Sequence, residues 1–167
     1  MVIDAILKRR SVRDFSDEPV GEKDVEEMIK AAQFAPTAMN NRSVEFVVVR
    51  DRETKQRLFD SIAARQEFVK NAPVIVVPVT DPGKTPCPVQ DLSIASENMM
   101  LQAASMGIGS VWKNLGDQDS YGVKKVLGIP EAMAVINMVC IGHPKAVPAS
   151  HTDAGFSVGK MHKEKWM

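Results

Sequence analysis

Arg9, Arg10, Ser11 and Arg13 place three guanidiniums and a hydroxyl within five residues near the start of the chain. A guanidinium offers a planar fork of donors that matches phosphate oxygens, so this cluster can hold an anion. The same residues can equally form the basic last turn of a helix, where positive charge is favourable by about a few tenths of a kcal/mol. A second candidate is the run Ala35, Pro36, Thr37, Ala38, Met39, Asn40, Asn41, Arg42. Proline breaks the preceding helix, and the small and amide residues after it can read the polar edge of a flat heterocycle. The alternative is an ordinary polar loop between helix and strand. A third candidate spans 107–116, with Gly107, Gly109 and Gly116 around Val111, Trp112, Lys113, Asn114 and Leu115. Glycine permits a sharp turn and a close backbone approach to a ligand; a tight helix-to-strand connection with Trp112 in the core would use it as well. Position 112 is not glycine, so a dinucleotide-binding fingerprint is excluded.

The elements that must position these residues follow from periodicity. A short helix is expected over 2–10 with Ile3, Ile6 and Leu7 on one stripe, then an extended or looped stretch over 11–19. Val25, Met28, Ile29 and Ala32 have helical spacing, which predicts a helix over 22–34 ended by Pro36. VEFVVVR at 44–50 reads as a strand, Asp51 as the cap of a helix over 52–65, and VIVVPVT at 74–80 as a second strand with Pro78 at an end or edge. The stretch 89–106 is helical and apolar over most of its circumference, so it lies in the core or against another subunit. A strand over 110–113, a helix over 120–127 and a last strand over 134–141 complete the order. Helices and strands interleave without regular alternation, which predicts an α+β fold: one domain over 1–167 with a central mixed β-sheet flanked by helices. The tail, 145–167, has little periodicity yet carries Phe156 and Trp166.

Composition narrows the function classes. The 167 residues are 44% hydrophobic, which supports a folded core, and Lys plus Arg (21) equals Asp plus Glu (21), which argues against a general nucleic-acid binder. The two cysteines, Cys87 and Cys140, form no CxxC, and no long apolar run spans a membrane. A cytoplasmic protein is the expectation.

Taken in order and spacing, RRSVRDF, APTAMNN, NAPVIVV, DLSIASENMMLQAASMGIGSVW and VINMVCIGHP resemble the nitroreductase family of FMN flavoproteins. The resemblance implies an interlocked homodimer with two sites built from both subunits, with the tail from 145 packed on the partner. It implies non-covalent FMN, NADH or NADPH as donor, and a small oxidant such as a nitroaromatic, a quinone or a free flavin. Arg9, Arg10 and Ser11 would hold the phosphate and ribityl chain, and Arg13 would reach the pyrimidine edge. Pro36, Thr37, Ala38, Met39 and Asn40 would come from the other subunit. Val111, Trp112, Lys113, Asn114 and Leu115 would run beside the ring system, with a backbone N–H near Asn114 or Leu115 directed at flavin N5. No catalytic protein side chain is required, since the flavin carries the chemistry. The resemblance also leaves open a specialised flavoenzyme (flavin fragmentation, dehalogenation or dehydrogenation) and a flavin store or sensor.

Two departures from the family pattern bear on the site. Arg42, Ser43 and Val44 stand where many relatives have Gln-Pro-Trp, and the tail has no clear phosphate-binding cation, Lys145 and Lys160 being loose substitutes. Other motifs are set aside. The match of 155–159 to G-x-S-x-G lacks room for a downstream acid and histidine. Cys140, His143 and His151 make a poor zinc set.

Overall fold

The computed structural model describes residues 1–166. Its elements are α1 (Asp4–Lys8), α2 (Glu22–Gln33), β1 (Glu45–Val49), α3 (Arg52–Ser61), α4 (Phe68–Asn71), β2 (Val74–Val79), α5 (Pro88–Ser105), β3 (Gly109–Asn114), α6 (Asp117–Leu127) and β4 (Asn137–Gly142). The strands form one sheet in the order β1-β2-β4-β3. All three ladders are antiparallel, and the parallel component of the expected mixed sheet is a single bridge, Ser11 to Ser110.

Two apolar layers sandwich this sheet, because side chains alternate between its faces. On one face Ile75, Val77, Val111, Met138 and Cys140 pack with Leu58, Phe59, Val69 and Val123, drawn from α3, α4 and α6. On the other, Val74, Val76, Val139 and Ile141 pack with Met28, Ala95, Met99 and Ala103 of α2 and α5. All six residues of β2 are buried, which accounts for a run that reads as apolar without alternation. Pro78 occupies a central strand, facing Phe46 of β1, but the pairing with β4 covers only Val74 to Val76. The ladder with β4 lapses between Val76 and the Thr80–Ala134 bridge, and Pro78 falls in that interruption one residue before the end of β2, so its missing N–H costs no ladder bond.

One local expectation is met by an identifiable contact, and three elements differ from expectation. The Asp51 carboxylate caps α3 by accepting from the Thr54 N–H at 2.7 Å. The helix is shorter than the expected 52–65 because Ile62 turns to extended backbone (φ −109, ψ 141) and buries its side chain. The four-residue helix α4 was not predicted; it is too short for periodicity to reveal. The last strand begins at Asn137, three residues later than expected, with Ala134 bridging Thr80 instead.

The tail makes contact with its own chain at its start. The His151 N–H donates to the Leu7 carbonyl at 2.8 Å, and Lys145 pairs with Asp14 at 3.0 Å. From 152 to 166 every residue is exposed, including Phe156, Val158 and Trp166. No helix among the described residues is long and apolar enough to cross a membrane.

Candidate functional site

The first and third candidate segments are joined by the Ser11–Ser110 bridge, in which the Val12 N–H donates to the Ser110 carbonyl at 3.0 Å. Two glycines make the junction possible. Gly107 ends α5 in the left-handed region (φ 74), turning the chain back toward the sheet. Gly109 lies under Val12, where a Cβ would come within 2.9 Å of three side-chain atoms. Its missing side chain lets the two backbones meet, so the close approach expected there is to another segment of the chain.

Strand β3 is an edge strand, and ladder alternation decides which of its amides are free. The Leu115 N–H donates to the Ile136 carbonyl at 2.9 Å, so positions 115, 113, 111 and 109 point their amides inward toward β4. Trp112 and Asn114 point theirs outward. Of the two amides anticipated for flavin N5, Leu115's is consumed by the fold and Asn114's is directed at the open edge. Side chains divide as well. Val111, Lys113 and Leu115 are buried, whereas Trp112 packs against the layer of α2 and α5 and Asn114 is exposed.

Next to the bridge lies a recess of about 180 Å³, walled by Lys8, Arg9, Arg10, Gly107, Ser110 and Ser150 among others. Three of its lining side chains are cationic and none is a carboxylate. That donor set fits an anion such as the phosphate of FMN. The volume is below the roughly 300–1000 Å³ of a complete small-molecule pocket. Arg10 is oriented by donating from Nη1 to the Ala149 carbonyl at 2.6 Å, and Arg9 Nε lies 3.6 Å from Glu97 Oε1 of α5. Arg13 is exposed, and among the described residues its guanidinium has no ion-pair partner. Lys145, held by Asp14, and the exposed Lys160 both lie outside the recess lining.

The second segment lies elsewhere. Residues 36–42 lead into β1, the opposite edge of the sheet, roughly 14 Å from β3 at three strand spacings. They contact α5 near its start, whereas the recess touches Ala104 near its end, a separation along the helix of roughly 20 Å. Within one chain, then, the Arg9–Arg13 strip meets β3 at its start, at Ser110 with Val12 and Val111 in one apolar layer, residues 111–115 do not line the recess, and Pro36, Thr37, Ala38, Met39 and Asn40 stay apart. Three residues of this loop adopt left-handed backbone without being glycine: Met39 (φ 55), Asn40 (φ 53) and Arg42 (φ 49). Met39 is 89% exposed. Asp91, hidden in the sequence among the apolar residues of α5, is buried and accepts hydrogen bonds from this loop. An acidic residue inside an apolar helical run is the signal in the sequence that marks it.

Ser157 of the G-x-S-x-G match stands exposed before a single 3-10 turn, Val158–Lys160, with no strand-to-helix elbow to present it.

Comparison with known proteins gives a consistent picture. A protein of Archaeoglobus fulgidus, provisionally named NADH dehydrogenase/NAD(P)H nitroreductase, is 36% identical over 168 residues, covering 96% of each chain. The solved FMN-dependent nitroreductase of Clostridium difficile R20291 superposes with a TM-score of 0.92 at 28% identity, covering 99% of this chain and 100% of that one. The NADPH:FMN oxidoreductase of Vibrio harveyi, solved with NAD+, gives a TM-score of 0.83 at 26% identity over 98% of this chain and 76% of that one. The family model described as Nitroreductase family matches residues 6–66 and 61–143, which takes in the arginine cluster, the 36–42 loop and the whole sheet. The chain therefore belongs to the nitroreductase family.

Proposed function

We propose that this chain is an FMN-dependent oxidoreductase that draws electrons from NADH or NADPH and reduces nitroaromatics, quinones or flavins in two separate half-reactions. The observation that carries this reading is the Ser11–Ser110 bridge, which aligns an acid-free cationic recess with the open edge of β3. FMN, when bound, supplies the chemistry by accepting an electron pair from the donor and passing it to the oxidant. The protein's own residues bind and orient. Lys8, Arg9 and Arg10 neutralise the phosphate, and Ser11 reaches the ribityl chain. Arg13, exposed and without an ion-pair partner, is available to the pyrimidine edge, where a cation favours the more negative state of the ring. The outward amides of Trp112 and Asn114 offer donors along the ring's edge.

A second copy of the chain completes the site. One chain supplies a recess too small for the whole cofactor and leaves residues 37–40 on the far edge of its own sheet. The exposed apolar groups expected of a dimer face are present: Ile3 and Ile6 of α1, Val89 and Ile94 of α5, and Phe156 and Trp166 of the tail. With the tail from 152 onward exposed in one chain, we assign it to the partner's surface.

The test is spectroscopic. Purified protein loaded with FMN is yellow, NADH or NADPH bleaches it without air, and a nitroaromatic or quinone restores the colour with no donor present. Initial-rate plots at several oxidant concentrations run parallel. Colour that resists both donors identifies a store or a specialised flavoenzyme instead, and a protein that takes up no FMN removes the reading altogether.

A further inference from the structure

Asp91 is 2% exposed, yet three donors from two separate loops converge on its carboxylate. The Ala38 N–H reaches Oδ1 at 2.9 Å, the Asn41 side-chain amide reaches Oδ2 at 3.4 Å, and the Thr85 hydroxyl reaches Oδ2 at 2.6 Å. Thr85 in turn accepts from the Cys87 N–H at 3.1 Å, immediately before α5. One buried anion on the first turns of α5 thus ties the loop 36–42 to the loop 81–87. The helix macrodipole favours a negative charge in that place. Burial by itself would raise the carboxyl's pKa, but the hydrogen bonds from Thr85, Ala38 and Asn41 outweigh it and hold the group below its ordinary value. Asp91 is therefore anionic near neutral pH, and an anion accepts hydrogen bonds more strongly than a neutral group.

The loop needs such an anchor. Left-handed backbone is unfavourable for side chains such as those of Met39 and Arg42, less so for Asn40, and persists where surrounding contacts over-determine it. Most of the loop's other bonds are internal. The Arg42 N–H donates to Thr37 Oγ1 at 3.0 Å, the Asn41 amide to the Ala38 carbonyl at 2.6 Å, and the Ser43 N–H to Asn41 Oδ1 at 2.9 Å. These define a shape without fixing where it sits. Ser43 to Thr80 at 2.7 Å pins the loop's exit to the end of β2. Among the described residues, Asp91 is the side chain from outside the loop that hydrogen-bonds its centre, on either side of Met39 and Asn40.

We propose that Asp91 is a positioning residue whose carboxylate holds the 36–42 loop in the strained shape that presents Thr37, Ala38, Met39 and Asn40 to FMN, so that it governs flavin affinity without touching the flavin. This rests on the preceding assignment of that loop to the flavin site. Removing the carboxylate leaves the Ala38 N–H and Thr85 hydroxyl without their acceptor and releases the loop toward ordinary backbone angles. An amide in its place keeps one acceptor and adds a donor where three donors already meet, so Asp91→Asn falls between wild type and Asp91→Ala.

The experiment pairs two readouts in the full-length protein. Hydrogen exchange of the Ala38 amide is followed in flavin-free protein, and FMN affinity is measured by quenching of flavin fluorescence. Asp91→Ala is expected to speed Ala38 exchange and weaken FMN binding about ten- to hundredfold, the range for stranding buried donors. Asp91→Asn gives a smaller loss. Thr85→Val, which keeps the carboxylate and removes one donor, gives about a threefold loss and serves if Asp91→Ala fails to fold. Unchanged Ala38 exchange in Asp91→Ala overturns the clamp. Faster exchange with unchanged FMN affinity overturns its link to the flavin. Arg9→Ala, measured alongside, separates the two levels: if it still weakens FMN binding, the flavin assignment stands and only the loop's part falls. If neither variant changes affinity, the flavin site itself is misplaced.

Discussion

The arginine strip and the 36–42 loop are both read as flavin-binding, yet they are held in opposite ways. The strip is fixed by backbone: its Val12 N–H bonds to an edge strand over a glycine that keeps the two segments in contact, and its side chains remain available. The loop is fixed by side chains, with three left-handed residues restrained by a single buried carboxylate. A backbone-built half-site tolerates side-chain exchange and fails when backbone approach is blocked. A clamp-built half-site tolerates local sequence change and fails when its anchor is removed.

The largest expected effect therefore comes from filling the space under Val12. Gly109→Ala puts a methyl within 2.9 Å of the Val12 side chain, which must move and take Ser11 with it. We expect about 1–3 kcal/mol of destabilisation in urea unfolding, the usual cost of overpacking. FMN affinity should fall further than in any single arginine variant. Affinity equal to wild type would mean that the bridge does not align the site.

Arg9→Ala comes next, with FMN binding weaker by about 1.5–3 kcal/mol in a fluorescence titration, the worth of hydrogen bonds to a charged group. A titration indistinguishable from wild type would place the phosphate elsewhere.

The two cysteines report on the sealed core and on the clamp separately. Cys140 is fully buried on β4, and desolvation pushes its thiol up to about 12, so it stays protonated and unreactive in the native state. Cys87 is partly exposed beside the clamp. Alkylation followed by mass spectrometry should modify Cys87 alone in native protein and both in denaturant. Asp91→Ala should accelerate only Cys87. Equal labelling of both native thiols would contradict the sealed layer of α3, α4 and α6.

The smallest effect belongs to Glu97, whose carboxylate lies 3.6 Å from Arg9 on a partly exposed surface. Glu97→Gln removes a carboxylate outside the recess that competes for Arg9. FMN binding should tighten by up to about 1 kcal/mol at low salt, with the gain fading in high salt as screening grows. A gain that ignores salt would point to a rearrangement of α5 instead of electrostatics.

Much of this is legible in the sequence. Val25, Met28 and Ala32 marked the buried stripe of α2, Asp51 marked the start of α3, and the β-branched runs marked β1 and β2. Each signal is local, because periodicity and capping act within a few residues. Asp91 escaped notice because its importance comes from Ala38, Asn41 and Thr85, which sequence distance does not connect. Leu115 and Asn114 looked equivalent as donors for the same kind of reason; only the register with Ile136 distinguishes them.

Sequence alone thus determined the order of the longer elements, their apolar faces and the cationic character of the 9–13 strip, since these depend on residue type and short-range spacing. Tertiary structure decided the rest. The antiparallel register turned the Asn114 amide outward, the strand order β1-β2-β4-β3 sent the two half-sites to opposite edges, and α5 set a carboxylate beneath a strained loop. Pairing between segments distant along the chain is governed by closure and packing of the whole, which no short window of residues encodes.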